Sequence, residues 1–521
     1  MTENSGLNIH FSQRFSKNLL ANIVYFILNI VIGLFMVPFF LNTLGSVAYA
    51  LIPLATSLSS YLDLLISCIN IAVSRFLTID IHSNQVKKAN ITFNTALFGT
   101  LVILIILIPV AGIFACFSPD IFSVGDLLHN QVVIFFGLIL ASALITTWSG
   151  NFLTTLTAYN RFDYKNYVNI IRLGTQIILI LVLFAFFEPA LIFIGLAYFI
   201  ASIIGLGTAY YYSRKTAIIL TISPKLASFK RFKEVAGLAI WEATNSLSWY
   251  LVVGVALIIV NILFGAEAQT RYSFVTTWFG FILAMSGLLI PLFVPMIYNY
   301  YAKRDIEGMV IFSAFATKCM GIFLALPIAL LCIFSPQIMT VWVGAEYADL
   351  APLVWLVITP LIIKVQQSCL TAITTAYLKV HIKALIGIGL GIINIILACT
   401  LPFVFDMGVY GVAIAGAVTL FVMTGIVEPF YDAYLVHKSP MVFLKPMLIS
   451  VCCFCILSVS GLIISNIFQI QSIIAVIVVS VVISIIYLFI VLKCLFSEEE
   501  KNMIRSCFPK SLGHFIPKWI L

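Results

Sequence analysis

The residues of this chain that could do chemistry are charged side chains set inside long apolar stretches. Three acids and three bases have this placement: Asp63, Glu242, Glu428, Arg172, Lys318 and Lys364. A charge at the centre of a bilayer costs about 2.5–3.5 kcal/mol, so such a residue normally faces a partner or a water-filled cavity. Asp63 and Lys364 fall near the middle of their stretches. The other four lie about two to three helical turns from one end and could instead snorkel to the membrane surface.

Polar residues accompany these charges at helical spacing. Because residues three or four apart share a helix face, the pattern predicts polar stripes that include Tyr25, Asn29, Asn151, Asn245, Lys364, Gln367 and Ser368. With Arg172 and Lys318, these are the candidate substrate-binding residues. Asp63, Glu242 and Glu428 are the candidate acids of a cavity or a coupling-ion site.

The stripes have two interpretations. They can line a hydrated cavity, or they can join helices through hydrogen bonds in a closed bundle. Several stripes recur, in two pairs of corresponding helices, which favours the cavity. The mixture of signs suits a ligand with an anionic group and many hydroxyls, and it equally suits an Asp63–Lys364 ion pair that closes the bundle.

The elements that must position these residues are membrane spans. The chain has 521 residues, of which 62% are apolar and 9% charged, whereas soluble proteins are about one-quarter charged. The apolar residues fall in blocks of about 20 to 28, enough to cross a bilayer. We therefore predict an all-α polytopic membrane protein with about 14 transmembrane helices. No nucleic-acid partner is expected, because the 28 Lys and Arg are thinly scattered.

Charged residues in the connections predict the orientation. Lysines and arginines such as Lys87, Lys303 and Lys379 follow the even-numbered spans, while acids such as Asp120 and Glu346 follow the odd-numbered ones. Since short cytoplasmic loops collect positive charge, both termini are predicted to be cytoplasmic. The first span follows a polar stretch without a cleavage-type signal and is read as a retained anchor.

An internal repeat predicts two related bundles. Residues 117–124 (FSPDIFSV) match 334–341 (FSPQIMTV), and 153–157 (LTTLT) match 370–374 (LTAIT) at the same displacement. Parallel repeats of this kind are common in transporters that work by alternating access. We predict a cytoplasmic N-terminus (1–18), an N-terminal six-helix bundle (19–213), a basic cytoplasmic linker (214–234), a C-terminal six-helix bundle (235–436), two extra transmembrane helices (437–495) and a cytoplasmic tail (496–521).

Motifs of soluble enzymes are missing. The sequence holds no H-E-x-x-H, G-x-S-x-G or G-x-x-x-x-G-K-[ST] pattern. The group Cys452, Cys453 and Cys455 has no second ligand pair, so it favours buried apolar packing over a metal site. We expect no enzyme activity, no cofactor and no metal. A membrane glycan transferase, which usually needs a larger external loop, stays as an alternative.

The first two spans resemble a known family. Pro38, Gly45, Tyr49, Asp63 and Arg75 fall where the Wzx-type polysaccharide flippases of the multidrug/oligosaccharidyl-lipid/polysaccharide exporter superfamily carry the same residue types. The duplicated twelve-span core and the extra C-terminal pair extend this resemblance over nearly the whole chain. Leu65 departs from the pattern, which has glycine at that position.

The resemblance implies an export function. The cargo would be a polyprenyl-diphosphate-linked oligosaccharide for O-antigen, lipopolysaccharide or capsule, moved across the cytoplasmic (inner) membrane. Lys364, Lys318 and Arg172 would then meet the diphosphate, and Asp63 or Glu242 would bind a coupling cation (H⁺ or Na⁺) or sugar hydroxyls. Other polysaccharide-assembly membrane proteins would be partners beside the lipid bilayer.

Two further alternatives come from the same superfamily. A lipid II flippase shares the fourteen-span plan, but the first span here lacks the arginines expected of one. A multidrug/cation antiporter shares the twelve-span core, although its cavity would favour acids alone.

Overall fold

The chain is almost entirely helical. The computed structural model describes residues 3–83, 85–122, 124, 129–470, 472–498 and 500–501, without the side chains of residues 3–20, 65, 82 and 238. Within these ranges the helices are α1 (Glu3–His82), α2 (Val86–Ile121), α3 (His129–Ala158), α4 (Phe162–Phe186), α5 (Leu191–Thr216), α6 (Phe229–Trp249), α7 (Ala256–Ala302), α8 (Ile306–Ile333), α9 (Ser335–Trp342), α10 (Ala351–Ile358), α11 (Leu361–Ala376), α12 (Val380–Val404), α13 (Val409–Phe421), α14 (Glu428–Leu435), α15 (Met441–Ile467) and α16 (Ile473–Cys494). Two π-helical turns, Tyr250–Gly254 and Val422–Val427, follow α6 and α13.

Twelve stretches in the described part are long and apolar enough to cross a bilayer. Two of them, Ala21–Leu64 and Ala239–Ala302, hold 44 and 64 residues. A helix of 44 residues is about 66 Å long, twice the hydrocarbon thickness, so each of these stretches accounts for two predicted spans. The all-α polytopic class and the count of about 14 are therefore confirmed, and the protein is a multi-pass membrane protein.

Two glycines bend the long stretches. Gly45 has φ 81° and ψ 170°, and Gly265 has φ 84° and ψ −179°. This backbone region is essentially reserved for glycine. Both residues lie where the sequence predicts the connection between two spans, and they adopt the same conformation in the two sequence repeats. This conformation explains why the family pattern has glycine at position 45, because no other residue type makes this turn without strain.

The repeated Ser-Pro segments end their helices in related ways. Ser118 donates to the Ala115 carbonyl and Ser335 donates to the Cys332 carbonyl, each at 2.8 Å. In the first copy α2 continues to Ile121, whereas in the second copy α8 stops at Ile333 and Ser335 opens the short helix α9. The repeat conserves the serine contact but not the helix length.

The chain divides into two compact units, Met1–Ser273 and Phe274–Leu521. In the first unit α3 is central and packs against α1, α2 and α5, while α6 packs on α1 and α2. In the second unit α8 packs on α11 and α15, and α12 packs on α13. Helices α4 and α12, which occupy corresponding places in the two repeats, are both 25 residues long. The predicted bundle limits at 213 and 235 stay a prediction.

The basic linker is held on α2 by two asparagines. Asn90 donates to the Ile219 carbonyl at 2.9 Å and accepts from the Thr221 N–H at 2.7 Å. Asn94 repeats the pattern one turn later, with the Thr221 carbonyl and the Ser223 N–H, both at 2.7 Å. Four helical residues rise about 6.0 Å and two extended residues about 6.6 Å, so the two side chains match an extended backbone and act like a neighbouring strand.

A buried charge cluster completes this attachment. Arg231 at the start of α6 binds the Asp80 carboxylate at 2.7 Å and the Thr92 hydroxyl at 2.9 Å. Thr92 also donates to Asp80 at 2.7 Å. The first turn of α6 is thereby fixed to α1 and α2, which explains why α6 packs with the first unit.

Candidate functional site

A polar cavity of about 280 Å³ lies inside the first unit. Its polar lining comes from α1, α3, α4 and α5 and consists of Thr56, Ser59, Ser60, Asp63, Ser142, Thr146, Thr147, Arg172 and Tyr198. The volume approaches the range of small-molecule pockets, about 300–1,000 Å³. Asp63 and Arg172, which the sequence singles out separately, thus face one cavity together.

The hydroxyls of the lining are arranged as acceptors. Thr56 donates to the Ile52 carbonyl at 3.1 Å, Ser60 to the Thr56 carbonyl at 3.1 Å, and Thr147 to the Ala143 carbonyl at 2.7 Å. The Thr147 hydroxyl also lies within hydrogen-bonding reach of the Asp63 carboxylate, and the Ser60 hydroxyl within reach of the Tyr250 hydroxyl. A serine or threonine that donates to its own helix keeps lone pairs free to accept. The buried Thr146 oxygen has no protein partner among the described residues. This wall can therefore accept hydrogen bonds from a hydroxyl-rich ligand or from water.

Arg172 reaches the cavity across a glycine. A Cβ at Gly205 would lie 3.1 Å from the Arg172 Cδ, so the stem of the arginine passes close to the α5 backbone. The guanidinium carries five donors in a fixed fork that matches carboxylate and phosphate oxygens. The cavity therefore joins one anion-binding group, one carboxylate and a wall of hydroxyls.

Three other candidates of the first repeat lie outside the cavity lining. Asn151 is 1% exposed and donates to the Thr100 hydroxyl at 2.9 Å. Tyr25 and Asn29 are half-buried on α1, and the Asn29 amide donates to the Tyr25 carbonyl at 2.9 Å.

Glu242 and Asn245 are half-buried on α6, which packs on α1. Ser246, one residue further along, lies 3.8 Å from the Cys68 thiol of α1. This places the α6 stripe toward α1 within the first unit.

The remaining residues of the family pattern, Pro38, Tyr49 and Arg75, lie outside the cavity lining. Pro38 lies inside α1, seven residues before the bend at Gly45. Tyr49 is 3% exposed, with its hydroxyl 3.5 Å from the Ser273 hydroxyl. Arg75 is exposed near the end of α1.

The polar stripe of α11 lies in the second unit. Lys364 and Ser368 are half-buried, and the Ser368 hydroxyl donates to the Lys364 carbonyl at 3.2 Å. Gln367 is fully buried, and its amide donates to Asp432 at 2.8 Å. The stripe therefore includes one residue that already has a charged partner inside the protein.

Asp432 and Lys383 form a buried ion pair that the sequence analysis missed. The Lys383 ammonium lies 2.8 Å and 3.0 Å from the two Asp432 oxygens, and the side chains are 6% and 0% exposed. Glu428, one turn before Asp432, is 7% exposed, and its Oε2 has no hydrogen bond among the described residues. The spacing of four between Glu428 and Asp432 is the signal that could have found the second acid, since it puts both on one helix face.

Lys318 also has an acidic partner. Its ammonium lies 2.8 Å and 2.9 Å from the two carboxylate oxygens of Glu500, beyond the end of α16.

Arg161 lies in the connection between α3 and α4, outside the spans. It donates two hydrogen bonds to the Asp163 carboxylate, at 2.8 Å and 2.9 Å, and these hydrogen bonds raise the pKa of the guanidinium.

The helices adopt the fold of MOP-superfamily transporters. The lipid II flippase MurJ in its inward closed conformation aligns with a TM-score of 0.67 at 14% identity, over 91% of this chain and 98% of that one. The inward-facing structure of a multidrug resistance MATE family transporter of the MOP superfamily gives 0.61 at 14% identity, over 85% and 98%. The eukaryotic MATE transporter AtDTX14 gives 0.61 at 14% identity, over 86% and 99%.

A sequence relative spans the whole chain. The membrane protein EpsK of Bacillus subtilis (strain 168), described as uncharacterized, is 26% identical over 507 residues, which are 96% of this chain and 99% of EpsK. No protein-family model matches the chain. The comparisons confirm the fold that the family resemblance implies.

Proposed function

We propose that this protein is an alternating-access exporter that moves a polyprenyl-diphosphate-linked oligosaccharide across the cytoplasmic membrane for surface polysaccharide synthesis. The observation that carries the proposal is the cavity of the first unit, where Arg172 and Asp63 face a wall of hydroxyls. Charged groups are costly inside a membrane protein unless they pair or are reached by water or a polar ligand. Asp63 and Arg172 attract each other, and the hydroxyl wall beside them remains available to a ligand.

The cavity chemistry suits the two polar parts of such a cargo. Arg172 offers a bidentate donor to a phosphate group, and Thr56, Ser60 and Thr147 can accept from sugar hydroxyls. Asp63 takes a sugar hydroxyl or the coupling cation, H⁺ or Na⁺. The polyprenyl tail stays in the lipid.

Residues outside this cavity have proposed roles of their own. Lys364 and Lys318 of the second unit meet the diphosphate, and Glu242 or Glu428 serves as a second cation site. Both termini lie in the cytoplasm of a cell whose inner membrane holds the protein. Other membrane proteins of polysaccharide assembly supply and take the cargo.

Two similar structures support a transport function, because the proteins they show are a flippase and a transporter. MurJ is a lipid II flippase, and its structure matches 91% of this chain. One of the MATE structures is of a multidrug resistance transporter, and it favours a drug/cation antiporter as the second candidate. Arg172 beside Asp63 gives the cavity mixed charge, and such a cavity selects a cationic drug less strongly than one lined by acids alone.

The test is complementation of a deletion strain. Loss of the gene should remove surface glycan, and complete-length lipid-linked oligosaccharide should accumulate. Truncated oligosaccharide would instead indicate a membrane glycan transferase. Accumulated lipid II would indicate a lipid II flippase, and hypersensitivity to dyes with intact glycan would indicate a drug antiporter.

The site has its own test in the same strain. We expect Arg172→Gln to lower export about 10-fold or more, since a charge-assisted hydrogen bond is worth about 1.5–3 kcal/mol, and Asp63→Asn to reduce it as well. Lys215→Gln removes an exposed cation at the end of α5 and should leave export unchanged. Wild-type glycan in the Arg172→Gln and Asp63→Asn strains, at normal protein abundance, would show that the site is wrongly assigned.

A further inference from the structure

The segment that follows α16 packs against α8 of the second unit. Phe496 is 4% exposed and lies 6.5 Å and 6.4 Å, ring to ring, from Phe315 and Phe323. The ammonium of Lys318 lies 5.1 Å from the Phe496 ring, within the distance of a cation–π contact. An aromatic anchor thus holds the beginning of the tail beside Lys318.

The tail segment is preorganised to present a carboxylate. The Ser497 hydroxyl accepts from the Glu500 N–H at 3.2 Å, and Glu500 accepts from the Ser497 N–H at 2.9 Å. This reciprocal pattern is a capping box, which starts a helix. The same carboxylate receives the Lys318 ammonium on both of its oxygens. Lys318 is then 12% exposed.

The contact joins the segment after α16 to the interior of α8. Helix α16 has 22 residues, so it is about 33 Å long and just spans the hydrocarbon core. The Tyr487 hydroxyl donates to the Ile322 carbonyl at 2.8 Å, which fixes α16 along α8 one turn from Lys318. Glu500 lies six residues beyond the end of α16, and its carboxylate reaches Lys318, which lies twelve residues inside α8.

We propose that Lys318 is a binding site for a phosphate-type anion, and that Glu500 occupies this site as a tethered substitute. Residues 496–498 and 500–501 then form an autoinhibitory latch, which opens when the anion takes the place of the Glu500 carboxylate. A diphosphate carries more charge and more acceptor oxygens than a carboxylate, so it competes well for the three N–H groups of a lysine. A phosphodiester headgroup matches the carboxylate in charge and competes through its abundance in the bilayer. Lys493, in the last turn of α16, adds positive charge at this end of the unit.

The shared chemistry has two sources, a bilayer phospholipid headgroup and the diphosphate of the cargo. Only the second rests on the proposed function. The binding experiment uses purified full-length protein and no glycan cargo, so its failure is distinguishable from failure of the export proposal.

The matched pair of variants is Glu500→Gln and Glu498→Gln. Both remove one tail carboxylate, but Glu498 is 77% exposed and pairs with Lys501. Removal of a tethered competitor raises the apparent affinity of Lys318 for the added anion. The gain is small because a partly exposed ion pair such as Lys318–Glu500 contributes little free energy. We therefore expect Glu500→Gln to bind inorganic pyrophosphate about 3-fold tighter, and Glu498→Gln to bind it as the wild type does. Lys318→Gln should weaken binding and abolish the gain from Glu500→Gln.

Hydrogen exchange of residues 496–501 gives a second measurement. Pyrophosphate, or phosphatidylglycerol added to phosphatidylcholine nanodiscs, should speed exchange in this segment of the wild type and leave Lys318→Gln unchanged. A response to phosphatidylglycerol alone assigns the site to membrane lipid, and a response to pyrophosphate alone assigns it to the cargo. Equal pyrophosphate affinity of the two tail variants together with no exchange response to phosphatidylglycerol would overturn the proposal.

Discussion

Removal of Lys383 should destabilise the protein more than removal of any exposed lysine. Its ammonium contacts both oxygens of Asp432, and the two side chains are 6% and 0% exposed. In Lys383→Met the Asp432 carboxylate keeps the Gln367 amide at 2.8 Å but loses its only counter-ion among the described residues. A buried carboxylate without a counter-ion is the costly case.

The magnitude follows from two bounds. Breaking a buried pair in a soluble protein costs about 3–5 kcal/mol, whereas polar contacts between membrane helices measure at most about 1.7 kcal/mol because the unfolded chain in lipid finds partners too. An ion pair with two contacts at or below 3.0 Å falls between these limits. We expect Lys383→Met to lower the free energy of unfolding by about 3 kcal/mol.

The assay is unfolding by SDS in mixed micelles, with a double-mutant cycle. Lys379→Met, four residues earlier and exposed, should be neutral within about 0.5 kcal/mol. The variant Lys383→Met/Asp432→Asn should lose less than Lys383→Met alone, because it leaves no uncompensated charge. If Lys383→Met were as stable as Lys379→Met, or if the double variant were the less stable of the two, the reasoning from burial would be refuted.

Two further predictions concern the backbone. Gly45→Ala should lower the free energy of unfolding by about 1–3 kcal/mol, because a φ of 81° strains any residue with a side chain even though the surrounding space is open. The control is Gly112→Ala, which also lies in open space but within helix α2 and should not lower the free energy of unfolding. Equal effects of the two substitutions would exclude the backbone explanation. Asn94→Ala leaves the Thr221 carbonyl and the Ser223 N–H without their side-chain partner, so trypsin should cut the linker of this variant at the exposed Lys225 faster than in the control. The control is Asn42→Ala, which removes an exposed amide. Equal cleavage rates would mean that Asn94 does not hold the linker.

The overall architecture was predictable because it depends on one dominant energy. Burying about 20 apolar residues in lipid outweighs every local preference, so hydropathy located the spans without knowledge of their packing. The predicted connections at residues 44–47 and near 265 also appear, as bends at Gly45 and Gly265. These bends depend on the conformational range of a single residue type, which a sequence displays directly.

The attachment of the linker was not predictable in the same way. Its residues 214–234 read as a charged cytoplasmic loop, and nothing in them indicates Asn90 and Asn94, more than a hundred residues earlier, as their partners. An asparagine in an apolar helix has the same composition signal whether it binds a neighbouring helix, a loop or a ligand. Long-range pairing decides between these, and one sequence does not contain it.

The same limit applies to the charged residues. Charged side chains far inside an apolar span are costly when alone, so Asp63, Arg172 and Lys318 stand out in the sequence without reference to their partners. Lys383 does not stand out in this way, because it lies at the edge of a predicted span although it pairs with the buried Asp432 of the second unit. The free-energy cost of burying a charge follows from its position along one helix, whereas the partner that offsets this cost comes from another helix.

Helix α3 shows why a polar stripe does not by itself define a binding site. Thr147 and Asn151 are four residues apart and were predicted to share a face, yet Thr147 lines the cavity while Asn151 donates to Thr100 of α2. Because α3 is central and packs against α1, α2, α4 and α5, one turn along its axis is enough to pass from a cavity to a helix contact. Helical spacing thus gives the direction of a side chain, but the cavity ends where the neighbouring helix approaches. For α3 it ends between Thr147 and Asn151, so Thr147→Val should alter cargo handling, whereas Asn151→Leu should act first on the packing of α2 against α3.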